Sequence, residues 1–192
     1  MSKLQPSVIY KNIKYSGKWL EQEEIVYRDH NGKMMSWENV KRKNNTGAAV
    51  IIAKLKQSNK LLLIRQYRPP LDNFIIEFPA GLIDQNENVK MTALRELKEE
   101  TGYTGVVISV SYPVFSSPGL TDESLYIVKM EIDELLPENI SPKQNSEPTE
   151  NIEVLYTSES ELNQYLKERA ALGDSIDSKV AVFAVGLSDS HF

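Results

Sequence analysis

The chain reads as an α/β (α+β) protein, strands with helices, preceded by a small N-terminal antiparallel β-sheet. Three stretches predict it. Ala48–Leu55 and Lys60–Tyr67 are apolar, β-branched runs separated by Gln57-Ser58-Asn59, the pattern of a buried central hairpin. Phe78–Tyr103 then becomes helical in pattern, entered through a polar turn. Upstream, Lys18–Arg28 and Lys33–Val40 alternate on either side of Asp29-His30-Asn31-Gly32, whose Asn-Gly pair favours a tight hairpin because both residues tolerate positive φ.

In chain order, short alternating segments fill Val8–Lys43 and predict the N-terminal sheet. His30, in the turn, reads as a solvated residue. Trp19 and Trp37 lie on the two arms and, by residue type alone, read as hairpin or core aromatics. The polar break Asn44-Asn45-Thr46-Gly47 divides the chain into 1–46 and 47–192. Arg68-Pro69-Pro70 ends the second central strand, because proline cannot donate to a ladder. Phe74–Glu77 is a short strand, Asn86 or Asn88 can cap the helix, and Gly102 stands where a left-handed terminator is wanted. Val106–Val110 and Leu125–Ile132 read as strands around a turn at Ser116-Ser117-Pro118-Gly119. Pro137–Glu150 shows no periodicity and predicts a long functional loop. Ile152–Thr157 reads as a last strand. Glu159–Leu172 reads as an amphipathic helix with Leu162, Tyr165, Leu166 and Ala170 inward, and Lys179–Leu187 as a second short helix.

Composition narrows the function classes. The 192 residues suit one well-cored domain plus an extra element. A net charge of −5 gives no basic footprint for nucleic acid or an anionic membrane. The absence of cysteine removes thiolate chemistry and disulfides, which fits a reducing compartment. No apolar run of signal-peptide or membrane-span length occurs, so a cytoplasmic protein, or one also nuclear, is expected.

The chemistry concentrates in Phe78–Tyr103. On a helix, Glu96, Glu99 and Glu100 share one edge. At about 100° per residue, Glu96 and Glu100 fall within roughly 20° of Val89, so the acidic edge overlaps the stripe a helix would bury. Taken alone, the run Arg95–Glu100 is a solvated face. Partly buried, such carboxylates require a counter-charge, and hard divalent cations supply one.

The spacing Gly81, Glu87, Arg95-Glu96-Leu97, Glu99-Glu100, Gly102, Tyr103 matches G-x5-E-x7-R-E-U-x-E-E-x-G-U, where U is a bulky apolar residue. It resembles the box of the Nudix hydrolases, with Tyr103 a mild departure at the last position. Pro118, sixteen residues after Gly102, resembles the ADP-sugar (ADP-ribose) pyrophosphatase branch, as do Gly17–Trp19, Trp37–Arg42, Gln66–Pro70 and Glu77–Asp84. The resemblance implies an α/β/α sandwich around a mixed sheet, and Mg²⁺-dependent hydrolysis of ADP-ribose to AMP and ribose 5-phosphate, with Mn²⁺ as a substitute metal. It implies that Glu96 and Glu100 ligate the metal, with Glu99 a further ligand or a close neighbour of the ligands and the Ala80 carbonyl completing the set, and that Arg95 orients the carboxylates with Glu87 beside it. Trp19 and Trp37 would sandwich the adenine, one from each subunit of a homodimer whose N-terminal sheets are exchanged. Arg42 and Arg68 would bind phosphates or the terminal ribose, and Pro118 and Leu120 would line the substrate site. Glu150 matches the loop glutamate that assists the attacking water, with Glu147 or Glu153 as neighbours that could take its place. Two other readings remain: a hydrolase of another nucleoside diphosphate derivative, and a non-catalytic ADP-ribose sensor.

Overall fold

A computed structural model describes residues 4–44, 46–145 and 151–188. The chain divides into two compact units. The described residues up to Gly47, with Pro113–Leu125, form one; Ala48–Tyr112 and the described residues from Tyr126 onward form the other.

In the first unit, β1 (Ser7–Ser16), β2 (Leu20–Arg28) and β3 (Met34–Arg42) make an antiparallel sheet in the order β1-β2-β3. The β2–β3 register runs from Leu20 opposite Arg42 to Arg28 opposite Met34. The turn closes because the Asp29 carboxylate accepts the Asn31 and Lys33 N–H groups at 2.8 Å each. His30 is exposed. All ten residues of β1 are exposed, Val8, Ile9, Tyr10, Ile13 and Tyr15 among them. Glu23, 2% exposed, is held by Lys41 at 2.6 Å and lies 3.8 Å from Lys11. The Lys41 ammonium holds its carboxyl below the usual range.

The second unit is built on β4 (Ala48–Leu55) and β5 (Lys60–Arg68), as their unbroken apolar runs predict. A 3₁₀ turn, Pro69–Leu71, leads into β6 (Asn73–Glu77), then β7 (Ala80–Leu82), α1 (Val89–Thr101) and β8 (Val106–Val110). β9 (Val114–Phe115), in the first unit, pairs with Ser124 and Leu125 at the start of β10 (Ser124–Ile132). α2 (Pro137–Ile140), β11 (Ile152–Ser158), α3 (Leu162–Ala171), β12 (Ser175–Ile176) and α4 (Ser178–Ser188) complete the chain. The large sheet follows β12-β6-β5-β4-β10-β8, with β11 on β5, β7 on β4 and β9 on β10. β12 runs parallel to β6 and β11 antiparallel to β5, so the sheet is mixed.

Helices cover both faces, because β4 and β5 bury residues of either parity. Leu62 and Ile64 join Ala49, Ile51, Ala93, Leu97 and Val128 in one core cluster under α1. Leu61 and Leu63 are as deeply buried; Phe183 of α4 borders the same groove as Leu61 and Ile52 and meets Phe78 edge-on at 5.6 Å. Burying one such leucine stabilises the fold by about 1.5–3 kcal/mol.

Three expectations change. The residues from Pro137 begin with a helical turn, α2, since proline is pre-organised for a first helical position. Its Asn139, 3% exposed, bonds Thr104 and Asp133. α3 starts at Leu162; it buries Leu162 and Leu166 and half-buries Tyr165, but Ala170 is exposed. Arg169 turns inward in its place, through an ion pair with the buried Asp174. β2 starts at Leu20, which leaves Trp19 just before the strand.

Candidate active site

α1 is placed by its ends. Asn88 caps it, its side chain accepting the Lys90 and Met91 N–H groups at 3.0 and 3.1 Å. Gly102 ends it at φ 80°, with its N–H on the Lys98 carbonyl. Between them, the face that buries Thr92, Ala93, Leu97 and Glu100 turns toward the sheet, which is why the acidic edge is not a solvated one.

β7 provides the opposite wall. It pairs with β4, Ala49 opposite Gly81 and Val50 opposite Ala80, and the Pro79 carbonyl accepts the Ile51 N–H at 2.8 Å. Glu100, 2% exposed, accepts the Ala80 N–H at 3.0 Å. Glu96 lies directly on Gly81: a Cβ there would stand 1.8 Å from the Glu96 Oε1. Both carboxylates therefore rest on the Ala80–Gly81 backbone, a convergence that the helix alone does not specify.

Arg95 ties the remaining carboxylates together. Its Nε and one terminal nitrogen each donate to Glu87 at 2.9 Å, a two-pronged pair, and its other terminal nitrogen donates to Glu96 at 2.7 Å and Glu99 at 3.0 Å. Asp84 lies 3.8 Å from the same group. The Thr92 hydroxyl donates to Glu87 at 2.8 Å. The guanidinium holds the Glu87 carboxyl below its ordinary range, and Glu87 in turn keeps Arg95 firmly charged.

These residues suit a divalent cation. Glu96, Glu99, Glu100 and the Ala80 carbonyl offer only hard oxygen donors, and the missing Cβ at Gly81 leaves room for a carboxylate against the strand. Among the described residues, no three acidic or imidazole side chains stand together as a ready cage, since Glu96 and Glu99 are turned onto Arg95. A cation would compete with Arg95 for those two, while Glu87 retains the guanidinium.

Other expected site residues fall elsewhere. Arg68 makes a two-pronged pair with Glu77 at 2.8 Å on both arms. In the first unit, the Trp37 indole N–H donates to the Gly119 carbonyl at 3.1 Å, the Val40 N–H bonds Leu120, and Arg42 pairs with Glu123 at 3.0 Å. Pro118 and Leu120 are exposed beside them on the Pro113–Leu125 segment. Trp19 and Trp37 are 66% and 50% exposed, with Lys18 over the Trp19 ring at 4.5 Å. This exposure overturns a core position for either indole, while Trp37 does lie on a strand of the hairpin, β3. Glu150 and Glu147 lie outside the described residues. Glu153 stands on β11 facing Arg65 at 3.4 Å, more than half exposed.

Sequence reasoning missed Thr92 and Asp84 at this cluster. Neither falls at a charged or glycine position of the box, and only the Glu87–Arg95 geometry reveals them. It also missed Gln144 and Asn145, which bond the last turn of α1 across some forty residues.

A mixed sheet covered by helices, with α1 setting Glu96, Glu99 and Glu100 beside one arginine and against β7, defines an α/β protein with an acidic site at a helix–strand junction. A profile of the NUDIX domain matches residues 45–176. An ADP-ribose pyrophosphatase of Saccharomyces cerevisiae is 39% identical over 181 residues, which are 88% of this chain and 77% of that protein. An ADP-sugar pyrophosphatase of Mus musculus is 36% identical over 186 residues, 91% of this chain and 83% of that one. The chain belongs to the Nudix family. Its fold is also that of a crystal structure described as an ADP compounds hydrolase, at TM-score 0.66 and 19% identity, covering 87% of this chain and 85% of that one. Enzymes of this family generally need a divalent metal. Among the described residues, no helix is long and apolar enough to cross a membrane.

Proposed function

We propose that this Nudix hydrolase cleaves the pyrophosphate bond of ADP-ribose, and of related ADP-sugars, to give AMP and the sugar phosphate. The observation that carries the reaction type is the seating of Glu96 and Glu100 on the Ala80–Gly81 backbone beside Arg95. The choice of substrate is supported by the two pyrophosphatase relatives, by the exposed indoles of Trp19 and Trp37, and by the exposed turn at Pro118.

In this reading, Glu96, Glu99, Glu100 and the Ala80 carbonyl would hold Mg²⁺, with Mn²⁺ as a substitute. When bound there, a divalent cation would offset pyrophosphate charge and lower the pKa of a coordinated water. Glu87 fixes Arg95, and Arg95 holds the carboxylates in register. Glu150 accepts the proton of the attacking water; that water's oxygen joins phosphorus as one bridging P–O bond breaks. Trp19 and Trp37 stack on the adenine, and Arg42 and Arg68 neutralise phosphate or hold the terminal ribose. Two copies assemble as a homodimer with exchanged N-terminal sheets, each contributing one tryptophan to an adenine site, in the cytoplasm or nucleus.

The test is a panel of nucleoside diphosphate derivatives with Mg²⁺ in ¹⁸O-labelled water, with products identified by mass. ADP-ribose should give AMP and ribose 5-phosphate with one labelled oxygen. Faster turnover of a non-adenine derivative would replace the substrate, and binding of ADP-ribose without any metal-dependent turnover would make the chain a sensor.

A further inference from the structure

A helix leaves its last carbonyls without intrahelical partners, and they ordinarily turn to solvent. In α1 the protein itself takes them. The Lys98 carbonyl accepts the Gly102 N–H and the Glu99 carbonyl accepts the Asn145 N–H, both at 2.9 Å. The Glu100 carbonyl accepts the Gln144 side-chain Nε2 at 2.6 Å, and the same nitrogen donates to the Ile152 carbonyl, the first of β11, at 3.0 Å. A primary amide has two N–H donors, so two carbonyl partners use both and fix its orientation. Two further contacts brace the same junction. A Cβ at Gly102 would meet the Lys143 backbone nitrogen at 2.5 Å, so the Pro142–Lys143 backbone presses against the helix end. The Tyr103 and Tyr156 hydroxyls lie 3.1 Å apart, joining that end to β11 a second time.

The two carbonyls taken by Asn145 and Gln144 belong to Glu99 and Glu100. We propose that Gln144 is a positioning residue for the metal-holding carboxylates: it locks the main chain of the last turn of α1 to β11, and so sets where the Glu100 carboxylate meets the Ala80 N–H. This rests on the reading that Glu96, Glu99 and Glu100 hold a divalent cation. It adds a residue forty-four positions beyond Glu100 that touches neither metal nor substrate.

Gln144→Met keeps the side chain's length and apolar stem and removes both donors; Gln144→Lys restores N–H donors. Mn²⁺ alone, without nucleotide, is titrated into the full chain, with the free-ion paramagnetic resonance signal read alongside the unfolding temperature. Gln144→Met should bind Mn²⁺ about tenfold more weakly, the lower end of what loss of an outer partner of a metal ligand costs, at a temperature where it is fully folded. Gln144→Lys should recover most of that affinity. Unchanged affinity in Gln144→Met, or equal loss in both variants, overturns the proposal, since a purely structural cap would alter melting and leave binding by folded protein alone. If the apolar variant does not fold, Gln144→Glu, of equal length and without a donor when ionised, carries the same test. Glu100→Gln runs in parallel. If it binds Mn²⁺ like the unaltered chain, the metal assignment itself fails; if it loses Mn²⁺ while Gln144→Met keeps it, only the role of Gln144 fails.

Discussion

Substituting Gly81 by alanine isolates one contact on which the site depends. Gly81 is not among the positive-φ residues, so alanine is acceptable to the backbone there. The new methyl would stand 1.8 Å from Glu96 Oε1 and 1.9 Å from its Cδ. Ordinary contact begins near 3.4 Å, so the carboxylate must retreat by about 1.6 Å. The strand cannot yield instead, because Ala80, Gly81 and Leu82 pair with β4 and Pro79 is bonded to Ile51. Glu96 can move, its side chain being 14% exposed at the solvent edge, so the stability cost should stay near about 1 kcal/mol, the low end for overpacking. A misplacement of about 1 Å can cost about a hundredfold in rate. Gly81→Ala should therefore lower kcat about a hundredfold at saturating Mg²⁺, with KM little changed and melting lowered by a few degrees. Steady-state kinetics and thermal unfolding on one preparation decide it: a folded Gly81→Ala with kcat within about threefold of the parent would show that the Glu96 position does not matter.

Glu100→Gln should lower turnover by at least about a hundredfold with the fold retained, since a metal site supplies several kcal/mol of transition-state stabilisation; near-normal rates would remove Glu100 from the metal set. Trp37→Ala should raise the KM for ADP-ribose about fivefold or more and spare kcat, as loss of a base stack worth about 1–3 kcal/mol requires; an unchanged KM would return Trp37 to a structural role through Gly119. Glu150→Gln should slow kcat with KM nearly constant, and an unaffected rate would move the proton acceptor to Glu147 or Glu153. Glu87 should leave a mark on acid unfolding. Arg95 depresses its carboxyl in the folded state, so the pair contributes stability above the unfolded glutamate value of about 4.3 and loses it as pH falls through the folded value. Melting temperature should then drop more steeply with acid in the parent chain than in Glu87→Gln, and equal slopes would refute the pairing.

Much of this architecture can be read from residues alone. Ala48–Leu55 and Lys60–Tyr67 are apolar on both faces, and only a covered central hairpin accommodates that. Gly102 marks the end of α1 and an asparagine its start, although the sequence offers Asn86 as well as Asn88 and only the structure selects Asn88. β7 was not legible: three residues carry no period, and its existence depends on pairing with β4. The same holds for β12, two residues long. The carboxylates of the box are legible as a set, yet their mutual arrangement is not. That Glu96 leans on Gly81 while Glu87 takes two arms of Arg95 is decided by rotamers and by the approach of β7. Nor does any local pattern place Pro113–Leu125 with the N-terminal sheet. That grouping rests on bonds from Trp37, Val40 and Arg42 to residues about eighty positions away.

This last grouping bears on how the protein comes into being. Strands β1 to β3 are consecutive and can pair as soon as Arg42 has been synthesised, but their unit waits for Gly119, Leu120 and Glu123. At about 5–20 residues per second, the 82 positions separating Trp37 from Gly119 amount to roughly 4–16 s of translation. Through that interval the nascent sheet keeps Trp37 without its acceptor, Val40 without the Leu120 carbonyl and Arg42 without Glu123. The unit is also not a contiguous stretch of gene. Cutting the chain after Gly47 would separate the sheet from its own closing segment, so neither fragment would inherit the unit whole.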